Sequence, residues 1–383
     1  MRPRDVVVVG GGAVGSAAAW QLTRRGVEVT LLEQFEPGHT RGGSHGSSRI
    51  VRLSYDDPFY VDLAATGYDR WAELEDECGE QLLTWTGVVD HGDPATVGAL
   101  AAAMESRNHV VQRVEPDQAA ERWPGLRFDT TALFHPRGGR AHADRTVAAL
   151  QRVAAARGAE IRHGVEVEAV VPGPDAVEIR TPGETLRARR VVVAAGAWAG
   201  QLLDGVVTLP SLTVTREQPA HFPPFDPAVP WPSFIHHIAA ATVHGAATPR
   251  GVYGLAGPDG VKVGFHAVGP VVDPRNVPDT VDEARLRELQ AYVRRWVPGV
   301  DASLPVADGC LYDLTDTADF VVDRVGPLTI AVGFSGHGFK FVPEIGRLVA
   351  DLVLGTPVTP TRFAIGHQAT PGRGTQRNDH GLG

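Results

Sequence analysis

The chain has 383 residues, more than one hydrophobic core usually organises, so we expect two domains. Its formal net charge of −9 argues against a surface that binds nucleic acid or an anionic membrane, because either partner requires a basic face. That charge favours a protein that acts on small molecules. The chain has only two cysteines, Cys78 and Cys310, so a disulfide scaffold is excluded, which favours a cytoplasmic protein.

The first thirty residues carry a dinucleotide-binding pattern. A β-branched run at 6–9 leads into Gly10, Gly12 and Gly15, spaced as G-x-G-x-x-G, and an alanine-rich helical pattern follows at 16–25. Gly10 permits a tight turn, Gly12 lets a pyrophosphate approach the backbone, and Gly15 lets the helix pack on the strand. The helix N-terminus would then face the phosphates with free N–H groups.

A second strand at 27–32 ends in Glu33, where an acid would bind the ribose hydroxyls of an adenosine. The basic start and the apolar run after it also resemble a secretory signal. We reject that interpretation, because the same residues complete the nucleotide fingerprint. Strand, turn, helix and acid together predict a dinucleotide site.

The segment 36–52 combines glycines, serines and histidines with two arginines. Arg49 and Arg52 would share one side of any helical turn that starts here. Such a segment suits an anionic ligand, and the alternative is a solvated basic loop.

The remaining pattern predicts alternating helices and strands. The predicted elements are a helix at 60–80, mixed short elements at 81–140, a helix at 146–157, strands at 161–171, 177–179 and 189–193, a proline-rich crossing at 210–232, strands at 252–254 and 261–266, a helix at 281–296, strands at 320–322 and 329–332, a glycine loop at 333–341 and a helix at 342–354. Strands that return beside the first glycine turn are typical of a doubly wound nucleotide domain.

The predicted fold is therefore α/β, with a Rossmann-type dinucleotide-binding domain and a second domain of mixed β-sheet plus helix for the substrate. The nucleotide domain is expected at 1–82, 141–215 and 318–365, and the substrate domain at 83–140 and 216–317. The tail at 366–383 is poor in apolar residues, which predicts disorder.

Two positions keep lysine in a chain that otherwise uses arginine. Only Lys262 and Lys340 among the 36 basic residues are lysines. A position of this kind favours a compact ammonium over a planar guanidinium, although chance is the alternative. Alternation in the strand 261–266 puts Lys262, Gly264 and His266 on one face, which is either a site or a solvent-facing side.

Four separated motifs, at 45–52, 262–266, 310–312 and 333–341, resemble those of the monomeric sarcosine oxidase and N-methyltryptophan oxidase family, among the D-amino-acid oxidase-like FAD-dependent oxidoreductases. The resemblance covers nearly the whole chain, and it is specific for the family but not for the substrate. It implies extended FAD, with Glu33 on the ribose and Cys310 joined covalently to the flavin 8α position.

The resemblance also implies residue roles. Arg52 and Lys340 hold the substrate carboxylate, and Lys262 activates oxygen. The other residues implied in catalysis or substrate binding are Tyr253 and His266, which line the pocket, and His45 and Arg49, which lie beside the flavin ring. The implied cofactor-binding set is Gly10, Gly12, Ala13, Val14, Gly15, Glu33, Gly43, Ser44, Ser48, Arg49, Val167, Cys310, Gly336, Gly338, Phe339 and Lys340.

The expected activity is oxidation of a secondary α-amino acid, N-methylated or cyclic, to an imine, with O2 reduced to H2O2. The alternatives are a dehydrogenase that passes electrons to a quinone or partner protein, and a non-catalytic flavin-binding subunit. We expect a monomer without metal, whose partners are its amino acid substrate and O2.

Three departures from the family pattern border the pocket. The stretch 233–245 is longer than expected, the turn between Tyr253 and Lys262 is shorter, and Ser48 stands where a threonine is expected. His236 and His237 are either pocket residues or ordinary strand residues, and for His244 we favour the ordinary role. Sarcosine itself is therefore a doubtful substrate.

Overall fold

The computed structural model describes residues 3–243, 246–356 and 360–368. The helices are α1 (Ala13–Thr23), α2 (Pro58–Cys78), α3 (Pro94–Ser106), α4 (Pro116–Arg122), α5 (Ala143–Ala156), α6 (Ala199–Leu202), α7 (Glu283–Trp296), α8 (Val342–Leu354) and α9 (Ile365–Gln368). The strands are β1 (Arg4–Val9), β2 (Val29–Leu32), β3 (Arg49–Val51), β4 (Leu83–Trp85), β5 (Val88–Gly92), β6 (Gln112–Val114), β7 (Ala132–His135), β8 (Gly139–Ala141), β9 (Glu160–Arg162), β10 (Ala169–Pro172), β11 (Val177–Arg180), β12 (Thr185–Val193), β13 (Leu212–Glu217), β14 (Ala220–Phe222), β15 (Ser233–Val243), β16 (Ala246–Gly257), β17 (Gly260–Phe265), β18 (Val306–Ala307), β19 (Cys310–Thr315), β20 (Val321–Val325) and β21 (Leu328–Val332).

The first sheet contains the predicted nucleotide-binding strands. Its parallel strands run in the order β21, β12, β1, β2 and β9. The hairpin β10–β11 joins this sheet through an antiparallel pairing of β11 with β12. Strand β20 pairs antiparallel with β21 at the edge of the sheet. Residues 6–9 of β1 are buried, as expected for a parallel strand with both faces covered. The predicted Rossmann-type α/β fold is confirmed.

Helices α1, α5 and α8 pack together on one face of this sheet. The closest approach is at Gly346 of α8, where an added Cβ would lie 2.6 Å from the backbone oxygen of Ala17 in α1. Trp20 of α1 is fully buried in the same core, and its indole Nε1–H donates to Glu77 of α2 at 3.0 Å. The absence of a side chain at Gly346 therefore sets the distance between α1 and α8.

We expect Gly346→Ala to lower the free energy of unfolding by about 1–3 kcal/mol, because the new methyl group would overpack the contact with α1. Urea unfolding followed by circular dichroism measures the change. The matched control is Gly98→Ala on α3, where the glycine is exposed and an added Cβ meets no atom within 4 Å. That substitution should stabilise the protein through helix propensity. Equal effects of the two substitutions would contradict the packing argument.

The second sheet is mixed. Its order is β18, β14, β17, β16, β15, β5, β7 and β6, and all neighbours are antiparallel except β15 and β5. One face packs on α7 and on the segment around Trp123, where Val261 and Val263 of β17 are buried. Alternation sends Lys262 to the opposite face. Two small sheets, β13–β19 and β3–β8–β4, complete the strand pairing.

Several local predictions need correction. The expected strand 161–171 is two strands, β9 and β10, separated by the loop 163–168. Arg49 starts β3, which pairs with β8, so no helical turn places Arg49 and Arg52 on one side. The proline-rich crossing contains β13 and β14, since its prolines fall outside or between these strands.

Residues 366–368 of the expected tail lie in α9, whereas 369–383 lie outside the described residues, as does His244. Among the described residues, no helix has the length and apolar character needed to cross a bilayer. The predicted domain boundaries stay a prediction.

Candidate active site

A cavity of about 700 Å³ extends from the glycine turn before α1 to the inner face of the second sheet. Its wall includes residues of both sheets and of the two glycine loops. Each predicted site residue except Gly15 contributes to this wall.

The glycine turn has the backbone geometry that the spacing predicts. Gly10 has φ +103°, and an added Cβ would lie 2.4 Å from the oxygen of Ala194 at the end of β12. An added Cβ on Gly15 would lie 1.9 Å from the oxygen of Gly10, so only glycine lets the helix start here. Gly12 is the N-cap of α1 without a side-chain cap, and the N–H of Ala13 donates to Ser44 Oγ at 3.0 Å. The turn therefore leaves helix N–H groups for an anion.

Glu33 stands at the end of β2 and is buried. Its carboxylate accepts hydrogen bonds from the N–H of Gly11 at 2.7 Å and of Phe35 at 3.0 Å. The N–H of Val165 donates to the Glu33 backbone oxygen at 2.8 Å, and Val167 lines the cavity in the same loop. The acid is thus held rigidly beside the glycine turn.

Further along the cavity, several buried polar atoms have no partner in the described part of the chain. They include His45 Nε2 and Ser48 Oγ. Burial, and then the charge of Arg49, lowers the pKa of His45 to about 4, so its imidazole is neutral at pH 7. Arg49 donates to the backbone oxygens of Ser48 at 2.8 Å and Gly43 at 3.0 Å, which ties the segment together.

Of the two cysteines, Cys310 lines the cavity and Cys78 lies at the end of α2, away from its wall. Cys310 is the first residue of β19, and an added Cβ on Gly43 would lie 2.8 Å from the oxygen of Leu311. Burial raises the pKa of the Cys310 thiol, and the charges of Arg49 and Lys262 oppose that rise.

Lys262 is paired with an acid that the sequence analysis missed. Its Nζ lies 3.0 Å from Asp308 Oδ2, and the lysine is 3% exposed. Burial, and then the charge of Arg49, lowers the pKa of Lys262, whereas Asp308 acts in the opposite direction. Lys262 lowers the pKa of the Asp308 carboxyl although burial acts to raise it. The pair therefore favours an ammonium at this wall of the cavity.

Arg52 and Lys340 form a second cationic group. Lys340 Nζ donates to Tyr55 Oη at 2.9 Å and to the His337 oxygen at 2.6 Å, and the Arg52 guanidinium lies 4.6 Å from the centre of the Tyr55 ring. Burial and then Arg52 lower the pKa of Lys340. Neither cation has an acidic partner within the described ranges, so the two favour an anion in the cavity.

Tyr253 of β16 and His266, one residue after β17, complete this end of the wall. Burial and then Arg52 and Lys340 lower the pKa of His266 to about 4, so the imidazole is neutral. Burial raises the pKa of Tyr253, so the phenol keeps its proton. Both groups are polar but uncharged.

The second glycine loop leads into α8. Gly336 has φ +71°, and an added Cβ would lie 2.2 Å from the ring of Tyr312. Gly338 packs on Phe334, and Phe339 begins the 3-10 turn that places Lys340 in the cavity before α8 starts. The loop therefore brings its backbone and Lys340 to the cavity wall together.

The sequence matches the FAD dependent oxidoreductase family over residues 5–352. The chain belongs to this family. It is 34% identical to a monomeric sarcosine oxidase of Streptomyces avermitilis over 93% of this chain and 95% of that protein. It is 29% identical to an N-methyl-L-tryptophan oxidase of Yersinia pestis over 90% of this chain and 94% of that protein. The fold matches NikD, described as an unusual amino acid oxidase, with a TM-score of 0.85 and 28% identity over 95% and 98% of the two chains.

The cavity of this FAD-dependent oxidoreductase fits its cofactor. Gly12 leaves a cradle, since an added Cβ would approach Ser44 Oγ to 3.2 Å, and α1 presents free N–H groups there. The unpartnered His45 and Ser48 atoms further along provide polar groups for a flavin ring. FAD, when bound, supplies the capacity to accept a hydride.

The site residues that the sequence analysis named, apart from Gly15, line the cavity of this oxidoreductase, but they are a minority of its wall, and the contacts behind them were missed. Asp308 and Tyr55 were not named, because each acts through a lysine distant in sequence. His237 was left open, and it lines the cavity with its Nε2 2.8 Å from Asp90 Oδ1. The signal that could have pointed to Asp90 is an acidic residue in the middle of the buried strand β5.

Proposed function

We propose that the protein is an oxidase of a secondary α-amino acid, N-methylated or cyclic, which it converts to an imine while O2 becomes H2O2. The observation that carries the proposal is the cation pair of Lys340, which is buried, and Arg52, which is partly buried; neither has an acidic partner in the described residues, and both line the same cavity as Lys262. We also propose that it acts as a monomer in the cytoplasm.

The pair anchors the substrate carboxylate by charge-assisted hydrogen bonds. Two groups of the wall beside the pair, Tyr253 and His266, are uncharged, so neither repels a bound carboxylate. Anchoring one end of a small amino acid fixes its α carbon and excludes water from it. Hydride transfer requires a neutral amine, and the apolar surroundings favour that form over a solvated ammonium.

Lys262 serves the second half of the reaction. Oxygen becomes negatively charged when it takes the first electron, and a fixed ammonium stabilises that charge as it develops. Asp308 supports the role because it favours the protonated form of Lys262. An enzyme that passes electrons to a quinone or partner protein would not need this ammonium.

We propose that Cys310 holds the flavin through a thioether to its 8α carbon. After acid precipitation of the holoenzyme, we expect the yellow colour to stay with the pellet, and we expect Cys310→Ala to release it into the supernatant. Cys78→Ala is the matched control, because Cys78 lies away from the cavity wall, and should leave the colour in the pellet. Colour released from the unsubstituted protein would contradict the covalent link while leaving the oxidase proposal intact.

The function is tested with a panel of N-methyl and cyclic amino acids, by measuring oxygen consumption and peroxide. Peroxide formed in proportion to oxygen consumed supports the oxidase. Flavin reduction under anaerobic conditions without oxygen consumption in air would favour the dehydrogenase. If no amine reduces the flavin, a non-catalytic flavin-binding subunit is favoured.

A further inference from the structure

Two adjacent histidines of β15 face opposite sides of the second sheet. His236 lies in the core, where its ring stacks on His91 at 4.3 Å and its Nδ1 lies 3.0 Å from Tyr292 Oη. His237 faces the cavity, with 16% of its side chain exposed. Alternation along the strand thus separates a packing histidine from one that a ligand can reach.

The cavity-facing histidine is backed by a buried acid. Asp90 of β5 is wholly buried, and the His237 Nε2–H donates to its Oδ1 at 2.8 Å. The hydrogen bond and then the charge of His237 lower the pKa of the Asp90 carboxyl although burial acts to raise it, so Asp90 is an anion. The other ring nitrogen, Nδ1, has no hydrogen-bond partner in the ranges that the structure describes, and it is therefore free to accept one.

The strand register places His237 beside open space. His237 pairs with Gly251 of β16, and an added Cβ on Gly251 would meet no atom within 4 Å. On the other side of Gly251, the backbone N–H of His266 donates to the Gly251 oxygen at 3.0 Å. Two imidazoles therefore flank a gap in the floor of the cavity that also contains Arg52 and Lys340.

We propose that His237 accepts the proton of the substrate ammonium, and that Asp90 is the positioning residue that holds the imidazole for this step. The proposal rests on the proposed function. The N–H bond of the ammonium breaks, the proton binds His237 Nδ1, and the substrate becomes a neutral amine. The two electrons and the α hydrogen then leave the substrate as a hydride for the flavin, and the proton passes to solvent after the product departs.

The other polar groups of the wall are less suited to this step. The imidazole of His266 has a pKa of about 4, and the phenol of Tyr253 keeps its proton because burial raises its pKa. Lys340 already donates to Tyr55 and to the His337 oxygen, and a bound carboxylate favours its ammonium form. At this end of the cavity, among the described residues, His237 combines an accessible ring with a carboxylate at hydrogen-bond distance.

Other charges also act on the pair. The titratable and charged groups that face it from neighbouring elements are Arg52 after β3, His91 on β5, Asp93 after β5, His135 on β7 and His236 on β15. Burial holds the pKa of His91, His135 and His236 below the usual range, so these three rings stay neutral near pH 7. Asp90 is the carboxylate in direct contact with the His237 ring.

The test follows anaerobic flavin reduction in the holoenzyme from slightly acidic pH to above the pKa of the substrate amine. The substrate is the N-methyl amino acid that reduces the flavin fastest. At neutral pH we expect His237→Gln, which keeps a donor to Asp90, to slow reduction about 100-fold. Above the amine pKa the rate should return to the wild-type value, because the substrate no longer carries the proton. Asp90→Asn should slow flavin reduction at neutral pH by a smaller factor, and its rate should also return to the wild-type value above the amine pKa.

His236→Gln is the matched control, since it changes the same residue type one position away on the core face. We expect it to lower stability without changing the pH profile. A loss in His237→Gln that persists above the amine pKa, or a pH profile equal to that of the wild type, would overturn the proposal.

A binding measurement separates this proposal from the proposed function. The probe is 2-aminoisobutyrate, whose α carbon carries no hydrogen, and its binding is followed by the visible absorbance of the flavin. In the wild type the transferred proton stays in the complex, so the affinity should change little with pH around neutrality. In His237→Gln affinity should rise about tenfold per pH unit, because the ligand must lose its proton to solvent. An affinity for 2-aminoisobutyrate with the same pH dependence in the wild type and in His237→Gln would contradict the proposal, even if no amine reduces the flavin.

Discussion

Lys262→Met is expected to slow the reaction of reduced flavin with O2 by on the order of 100-fold, because it removes the ammonium that stabilises the developing negative charge. Flavin reduction by the amino acid should change little, since Lys262 is paired with Asp308 and not with the carboxylate anchor. Stopped-flow measurement of the two half-reactions separates them. Equal damage to both would contradict the assigned role.

Asp308→Asn is the companion to this variant. It keeps the lysine but removes the carboxylate that raises the Lys262 pKa, while burial and Arg49 continue to lower that pKa. Lys262 is charged below its pKa, so reoxidation should decline with rising pH, and this decline should begin at lower pH in Asp308→Asn. An unchanged pH profile would show that the ion pair has no influence on the oxygen reaction.

Arg52→Ala is expected to weaken the binding of a carboxylate ligand about 100-fold, because a charge-assisted hydrogen bond in a desolvated site is lost. Lys340 remains but carries a pKa lowered by burial, so it cannot replace the permanent charge of a guanidinium. Acetate titrated against the flavin absorbance of the oxidised holoenzyme measures the affinity.

The control for this substitution is Arg113→Ala, which removes an exposed arginine paired with Glu105. It should leave the affinity for acetate unchanged, since exposed ion pairs contribute little and Arg113 is distant from the cavity wall. An Arg52→Ala protein that binds acetate as tightly as the wild type would remove Arg52 from the anchor.

The sequence pattern predicted an element correctly where local backbone geometry alone determines it. The glycine turn at Gly10 and Gly15 was predictable because backbone clashes exclude other residues there. Helix α8 begins and ends at the predicted residues, since Gly355 terminates it in a left-handed conformation. The strand that begins at Arg49 was not predicted, because its pairing partner β8 lies about ninety residues along the chain.

The candidate site shows the same division. Lys262 and Lys340 were singled out by composition alone, and both lie buried in the cavity wall. Asp308 was not, because nothing in its neighbourhood distinguishes a surface acid from one 3.0 Å from a buried lysine. His236 and His237 could not be told apart, because either face of β15 could have been the core.

The sequence by itself determined the dinucleotide fingerprint, the α/β class, the family and part of the cavity wall, since these depend on local backbone geometry and on residue type. The tertiary structure alone decided the partners of those residues: Asp308 for Lys262, Tyr55 for Lys340 and Asp90 for His237. Each pair joins segments far apart in the chain, and its charge balance depends on burial and on strand register. Neither quantity exists until the two sheets pack around the cavity.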